Sequence, residues 1–132
     1  MSAERLVVDA SALIDLFIDD DLGPAVEERL QGADLHAPAH FDLEVLSGLG
    51  RMHRAGLAAS RVARSLDDLT QFPIERHPLP PLVSGAWRRR QRLRLADALY
   101  VELAGRLQAT LITTDARLGR VARVAEVVSA RG

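Results

Sequence analysis

Two short apolar runs lead into an acid: Leu6-Val7-Val8-Asp9 near the start, and Thr110-Leu111-Ile112-Thr113 near the end with Asp115 two residues on. Neither run alternates apolar with polar residues, and neither is long enough for a helix. Such runs suit strands buried on both faces, which belong to parallel sheets sandwiched between helices. The sequence between them supplies the helices. Apolar spacing marks helices over residues 11–17 and 22–30, separated by Asp19-Asp20-Asp21; the second has Pro24 near its start and Gly32 beyond its end. Phe41, Val45, Leu49 and Met52 form the stripe of a helix over 41–54, and Val62, Leu66 and Leu69 that of one over 59–72. A helix starting at Pro80-Pro81 is expected to carry the run Trp87-Arg88-Arg89-Arg90-Gln91-Arg92-Leu93-Arg94. Another, over 96–108, places Ala96, Leu99, Tyr100, Leu103 and Leu107 on one face, and a short one covers 116–122. Residues 35–38, 73–77 and 124–128 complete the strands, the last at an edge. The alternation predicts an α/β fold, a three-layer α/β/α sandwich with a central parallel sheet. At 132 residues it is expected to form one domain, 1–132.

All 17 basic residues are arginine. Without lysine the chain can build neither a P-loop nor a Schiff base. Cysteine is also absent, which excludes disulfide scaffolds, thiolate nucleophiles and Cys-containing zinc sites, and leaves four histidines as nitrogen ligands. A metal is therefore expected to be held mainly by oxygen. His36 and His40 are four apart, but Pro38 breaks the helical face they would need, and His53 and His77 have no partner nearby in the sequence. No histidine is assigned a catalytic role. The net charge of -1 conceals a split: residues 1–44 hold 11 acids and 2 arginines, residues 45–132 hold 7 acids and 15 arginines. No apolar run approaches a membrane span, and Met1-Ser2-Ala3-Glu4-Arg5 lacks a signal-peptide profile, so a cytoplasmic protein is expected.

In open α/β sheets, ligands bind beyond the carboxyl ends of the strands, where strand order reverses. Asp9 ends the first strand, Asp115 follows the strand at 110–113, and Asp97 opens the helix beginning at Ala96. Glu44 lies in the first turns of its helix, roughly 100° around from the apolar stripe, so it is able to face a cleft. Singly, each acid has a plainer role, as a helix cap, a first-turn acid or a surface glutamate. Together they are four carboxylates from distant segments meeting at one edge. Packed carboxylates repel unless a hard divalent cation neutralises them, and Mg²⁺ or Mn²⁺ prefers oxygen ligands of this kind. Water activated by such an ion attacks phosphodiesters in line, so phosphodiester hydrolysis is the chemistry implied.

The segments Val7-Val8-Asp9-Ala10-Ser11, Glu44 followed by Val45 and Leu49, Ala96-Asp97-Ala98-Leu99-Tyr100 and Thr113-Thr114-Asp115-Ala116-Arg117-Leu118 resemble, in order and spacing, the signature of the PIN domain. More specifically, the chain resembles the VapC-type toxin ribonucleases of bacterial type II toxin–antitoxin systems over essentially its whole length. The resemblance implies a Mg²⁺- or Mn²⁺-dependent endoribonuclease acting on RNA such as tRNA, forming a homodimer and held inhibited by a cognate VapB-type antitoxin. Asp9, Glu44, Asp97 and Asp115 match the acidic quartet that is catalytic and binds metal, with Asp9 and Asp97 as central ligands. Glu44 and Asp115 then bind directly or through water, and cleavage leaves a 5′-phosphate. Ser11 matches the hydroxyl residue two after the first Asp and Thr113 the threonine two before the last; both are expected to orient carboxylates or water. Some relatives carry a further acid two residues after the last Asp. Here that place is Arg117, a departure that bears on a second metal ion.

Arg88, Arg89 and Arg90, beside Trp87 and just before Asp97, are expected to guide RNA toward the acids by pairing with phosphates. A solvated helix face is the plainer reading of the same run. Arg51 falls on nearly the same face as Glu44, with Gly48 between them keeping the path low, and a phosphate contact is expected there. Two other phosphate-handling α/β folds fail on composition: a receiver domain needs a lysine, and a haloacid-dehalogenase phosphatase needs an acid where Ser11 stands. The alternative within the same fold is a non-catalytic PIN-fold module that binds RNA or protein.

Overall fold

A computed structural model describes residues 3–18 and 20–130. Met1, Ser2, Asp19, Arg131 and Gly132 lie outside it, and with them two residues of the N-terminal segment read for a signal profile and the first acid of the run at 19–21. In chain order the elements are β1 (Arg5–Val8), α1 (Ala10–Ile18), α2 (Gly23–Leu30), β2 (Asp34–Pro38), α3 (Phe41–Arg54) and α4 (Ala59–Gln71). There follow β3 (Glu75–His77), α5 (Pro80–Arg88), α6 (Leu95–Leu107), β4 (Thr110–Thr113), α7 (Ala116–Val121) and β5 (Ala125–Val127).

The strands form one sheet in the order β3-β2-β1-β4-β5, every pair parallel. Val7 lies in register with His36 on one side and Leu111 on the other, and Val8 with Ile112. Leu6, Val7, Val8, Leu111 and Ile112 are fully buried, as unbroken apolar strands covered on both faces must be. Right-handed crossovers, the rule between parallel strands, carry α1–α4 to one face and α5–α7 to the other. Accordingly α1 packs on α2, α3 and α4, while α6 covers β1, β2 and β4 and packs against α5. The result is the expected three-layer α/β/α sandwich. The chain winds outward from β1 to β3, then crosses to β4 and β5. That reversal makes the carboxyl ends of β1 and β4 the switch point of the sheet, where Asp9 and Asp115 emerge.

Two helices differ from the sequence reading. The arginine run is not carried by a helix, because α5 stops at Arg88. Short turns follow, with Arg89 N–H donating to Ala86 O at 3.0 Å, Arg90 to Trp87 O at 3.2 Å and Arg92 to Arg89 O at 3.1 Å. They turn the chain off the helix axis so that Leu93 enters the core, 7% exposed. The second case is α6, which is buried around most of its circumference rather than along one stripe, since it lies between the sheet and α5. Its buried Glu102 is held by Arg89 at 3.2 Å and Arg106 at 3.0 Å. Gly85 of α5 makes room for it, because a Cβ there would overlap the Glu102 carboxylate. Among the described residues no helix is long and apolar enough to cross a membrane.

Candidate active site

Asp9 leaves the end of β1 and turns into α1. Its backbone oxygen accepts from the first helical N–H groups, Ala12 at 3.1 Å and Leu13 at 3.4 Å, while the partners of its side chain are hydroxyls from Ser11 and Thr113. The carboxylate is 7% exposed as a residue, and its Oδ2 accepts hydrogen bonds from Thr113 Oγ1 at 2.7 Å and Ser11 Oγ at 2.8 Å. Ser11 and Thr113, the two hydroxyl residues singled out in the sequence, therefore both contact the Asp9 carboxylate. They also lie 3.1 Å from each other, and each accepts a backbone N–H of the β4–α7 turn: Thr114 N–H on Ser11 and Asp115 N–H on Thr113. Oδ1 of Asp9 has no hydrogen-bond partner among the described residues. Burial raises the Asp9 pKa above its ordinary value; the Thr113 and Ser11 hydrogen bonds pull against that rise, and the charges of Asp97 and Glu44 add to it.

Asp97 sits in the first turn of α6, also buried, and its Oδ2 receives Arg94 Nε at 3.2 Å and an Arg117 guanidinium N–H at 3.1 Å. The same Arg117 nitrogen reaches Asp115 Oδ2 at 3.0 Å. Asp115 does double duty, since its Oδ1 caps α7 through Arg117 N–H at 2.9 Å. Glu44, in the first turn of α3, lies 3.5 Å from His40 Nε2, which donates to Ala96 O at 3.0 Å. The Tyr100 hydroxyl is buried with no hydrogen-bond partner among the described residues. Burial raises its pKa, and the charges of Glu44 and Asp9 raise it further, so it stays a proton donor.

The four acids thus form one network: Asp97 and Glu44 act on Asp9 through their charge, and Thr113 and Arg117 tie Asp115 to Asp9 and Asp97. An all-carboxylate donor set, a buried acid that gains from a counter-charge and an orphaned hydroxyl beside it suit a hard divalent cation. Arg117 occupies that counter-charge role between Asp97 and Asp115. Among the described residues the quartet does not bring three ligand oxygens within 4.8 Å of one another. An ion held by these carboxylates would compete with Arg117 for Asp97 Oδ2 and Asp115 Oδ2. Arg94, Arg117 and Tyr100 had no part in the sequence reading of the site beyond the departure noted at 117. Arg94 had a signal, its i,i+3 spacing to Asp97 across a helix start.

The remaining candidates divide. Arg51 is exposed and lines a cleft with Ser11, Ile14, Asp15 and Gly48, one wall of which leads to Asp9 through Ser11. Gly48 has a packing role besides: it is buried, and a Cβ there would overlap Ile14 Cδ1, so it allows α1 and α3 to approach. Asp15 was not singled out by the sequence; burial, then Asp20, raises its pKa to about 6. Arg88 is exposed, Arg90 stacks on Trp87 at 4.6 Å, and Arg89 is committed to Glu102. His36 and His40 do not meet. His77, expected to lack a partner, instead lies 2.9 Å from His36, because β2 and β3 pair in a register that the linear sequence does not display.

A family model described as the PIN domain matches residues 6–124. The chain is 55% identical over 119 residues to Ribonuclease VapC3 of Mycobacterium tuberculosis, covering 89% of this chain and 87% of that protein. Among solved structures, PAE2754 from Pyrobaculum aerophilum superposes with a TM-score of 0.67 at 25% identity, covering 92% of this chain and 82% of that one. A toxin–antitoxin complex from Klebsiella pneumoniae contains a chain of the same fold, with a TM-score of 0.65 at 17% identity and coverage of 92% and 96%.

Proposed function

The chain belongs to the PIN-domain family, and on that premise we propose that it is a divalent-metal-dependent endoribonuclease, the toxin of a toxin–antitoxin pair. The observation that carries this reading is the convergence of Asp9, Glu44, Asp97 and Asp115, from four distant segments, on the switch point of the sheet. These four would hold Mg²⁺, or Mn²⁺ in its place, which when bound supplies an activated water and neutralises charge on the phosphate under attack.

The chain's own residues prepare that event. Ser11 and Thr113 fix one oxygen of Asp9 and leave the other for a ligand. Tyr100 keeps its proton and offers a donor beside Glu44 and Asp9. Arg94 and Arg117 neutralise Asp97 in the absence of substrate and are placed to pair with RNA phosphates when it releases them. Arg51 extends the cationic path along the α1–α3 cleft, and Arg88 and Arg90 extend it beyond α5, whereas Arg89 serves Glu102. Hydrolysis breaks the bond from phosphorus to the 3′-oxygen, leaving a 3′-hydroxyl upstream and a 5′-phosphate downstream.

A relative named as a ribonuclease supports the RNA substrate, with tRNA as the first candidate, and a structural neighbour in a toxin–antitoxin complex supports an antitoxin partner. Leu43 and Leu46 of α3 and Trp87 of α5, all at least half exposed, are the apolar surface such a partner or a second copy would cover. The site of action on this reading is the cytoplasm. The test is cleavage of total RNA by purified protein with Mg²⁺, with a chelator, and after Asp9→Asn. Cleavage confined to the first condition is expected. Cleavage surviving the chelator or the substitution refutes the metal site, and binding without cleavage refutes the enzyme.

A further inference from the structure

Away from the carboxylate cleft, on the edge of the sheet, three ligand atoms converge. We propose that His36 of β2 with Glu75 and His77 of β3 forms a zinc-binding site. The register pairs His36 with Glu75 and Pro38 with His77, so the two-residue period of parallel strands sends all three side chains to one face. His36 Nδ1 lies 2.9 Å from His77 Nε2 and 3.0 Å from Glu75 Oε2, and the last two atoms are 3.2 Å apart. A triangle of those sides has a circumradius of about 1.8 Å, so an ion about 1 Å above its plane stands about 2.1 Å from each corner, the zinc–ligand distance.

A second observation concerns protons. Asp34 Oδ2 lies 3.1 Å from His36 Nε2, the nitrogen on the far side of the ring. A carboxylate there accepts a hydrogen bond from Nε2–H and leaves the Nδ1 lone pair aimed into the triangle, the orientation that carboxylate–histidine–metal sites use. Without a cation, that lone pair faces a carboxylate oxygen, acceptor against acceptor, and His77 Nε2 has one proton at most to share between two neighbours. A positive centre above the triangle satisfies all three contacts at once.

Burial fits an entry path and a rigid base. The His36 side chain is 7% exposed, whereas those of Glu75 and Asp34 are 65% and 56% exposed. The imidazole is therefore held by the core, and the open side leaves a fourth position for water. Two imidazoles and one carboxylate select a borderline ion such as Zn²⁺, with Co²⁺ as its spectroscopic substitute, over Mg²⁺, which prefers oxygen. The ligand chemistry thus distinguishes this site from the acidic cleft. Its effect would be to staple β3, a three-residue edge strand, to β2.

The experiment uses full-length protein without a histidine tag, stripped of metal and then titrated with Zn²⁺ against a chromophoric chelator in excess Mg²⁺. One equivalent of Zn²⁺ is expected, with a raised melting temperature and the visible bands of four-coordinate Co²⁺ on substitution. His77→Gln and Glu75→Gln, both at accessible positions, should weaken that binding, and Asp34→Asn should weaken it about 10–100-fold. Asp9→Asn should leave the stoichiometry at one. Equal zinc binding by the wild type and both His77→Gln and Glu75→Gln overturns the proposal. So does no binding at all, with NMR showing His36 protonated on both nitrogens, since the positive centre is then a proton.

Discussion

Replacing Thr113 by valine removes one hydroxyl and little volume from a fully buried position. That hydroxyl gives Asp9 its shortest hydrogen bond, 2.7 Å, and accepts the Asp115 N–H at 3.0 Å. A hydrogen bond to a charged group contributes about 1.5–3 kcal/mol net, and for a domain of this size that is a fall in melting temperature of about 6–12 °C. The pH dependence identifies the cause. Folding raises the Asp9 pKa, so this residue contributes stability below its unfolded pKa and loses it as pH rises through the folded one. Thr113 favours the ionised form, hence Thr113→Val moves the folded pKa higher still and the loss deepens. The deficit should be larger in alkaline than in acidic buffer, shrinking as Asp9 takes up its proton. Metal affinity should fall about 10–100-fold, because the Asp9 carboxylate then keeps only Ser11 to orient it. Thermal melts in both buffers and a Mn²⁺ titration measure the two effects. A deficit independent of pH, or an unchanged metal affinity, refutes the claim that Thr113 acts through Asp9.

Arg117→Ala removes the cation shared by Asp97 and Asp115. Half-saturation by Mn²⁺, read calorimetrically, should fall to a lower concentration; no change would mean that Arg117 does not compete with the metal. Asp15, with its pKa raised to about 6, contributes stability below the ordinary carboxylate value that is lost as pH rises through about 6. Asp15→Asn should therefore melt higher than the wild type above about pH 7 and show no such advantage near pH 5; an advantage equal at both contradicts the assignment.

Asp9 and Asp115 were legible in the sequence because a buried parallel strand writes itself as an apolar run, and the next acid then falls at the carboxyl edge. Ser11 and Thr113 followed from their two-residue spacing to those acids. Arg117 was visible as a departure, but its bridge to Asp97, 20 residues away, depends on how α6 and α7 meet beside the sheet. Tyr100 was legible as a core residue, yet its hydroxyl became part of the site only once α6 lay between the sheet and α5. The helix expected to carry Arg88 to Arg94 ends early for a tertiary reason, the burial of Leu93, which no local pattern displays. His36 and His77, 41 residues apart, meet through the register of two strands joined by α3 and α4. Register of that kind is set by packing across the whole sheet, not by neighbours in the chain.

The central claim is that these carboxylates cut RNA. It is tested most directly by mapping RNA 5′ ends in cells after induction of the wild-type protein and of Asp97→Ala, with both proteins shown to accumulate in folded form. A discrete set of new 5′-phosphate ends is expected with the wild type and none with Asp97→Ala. The same ends in both cultures, or no new ends with the wild type, would contradict the claim.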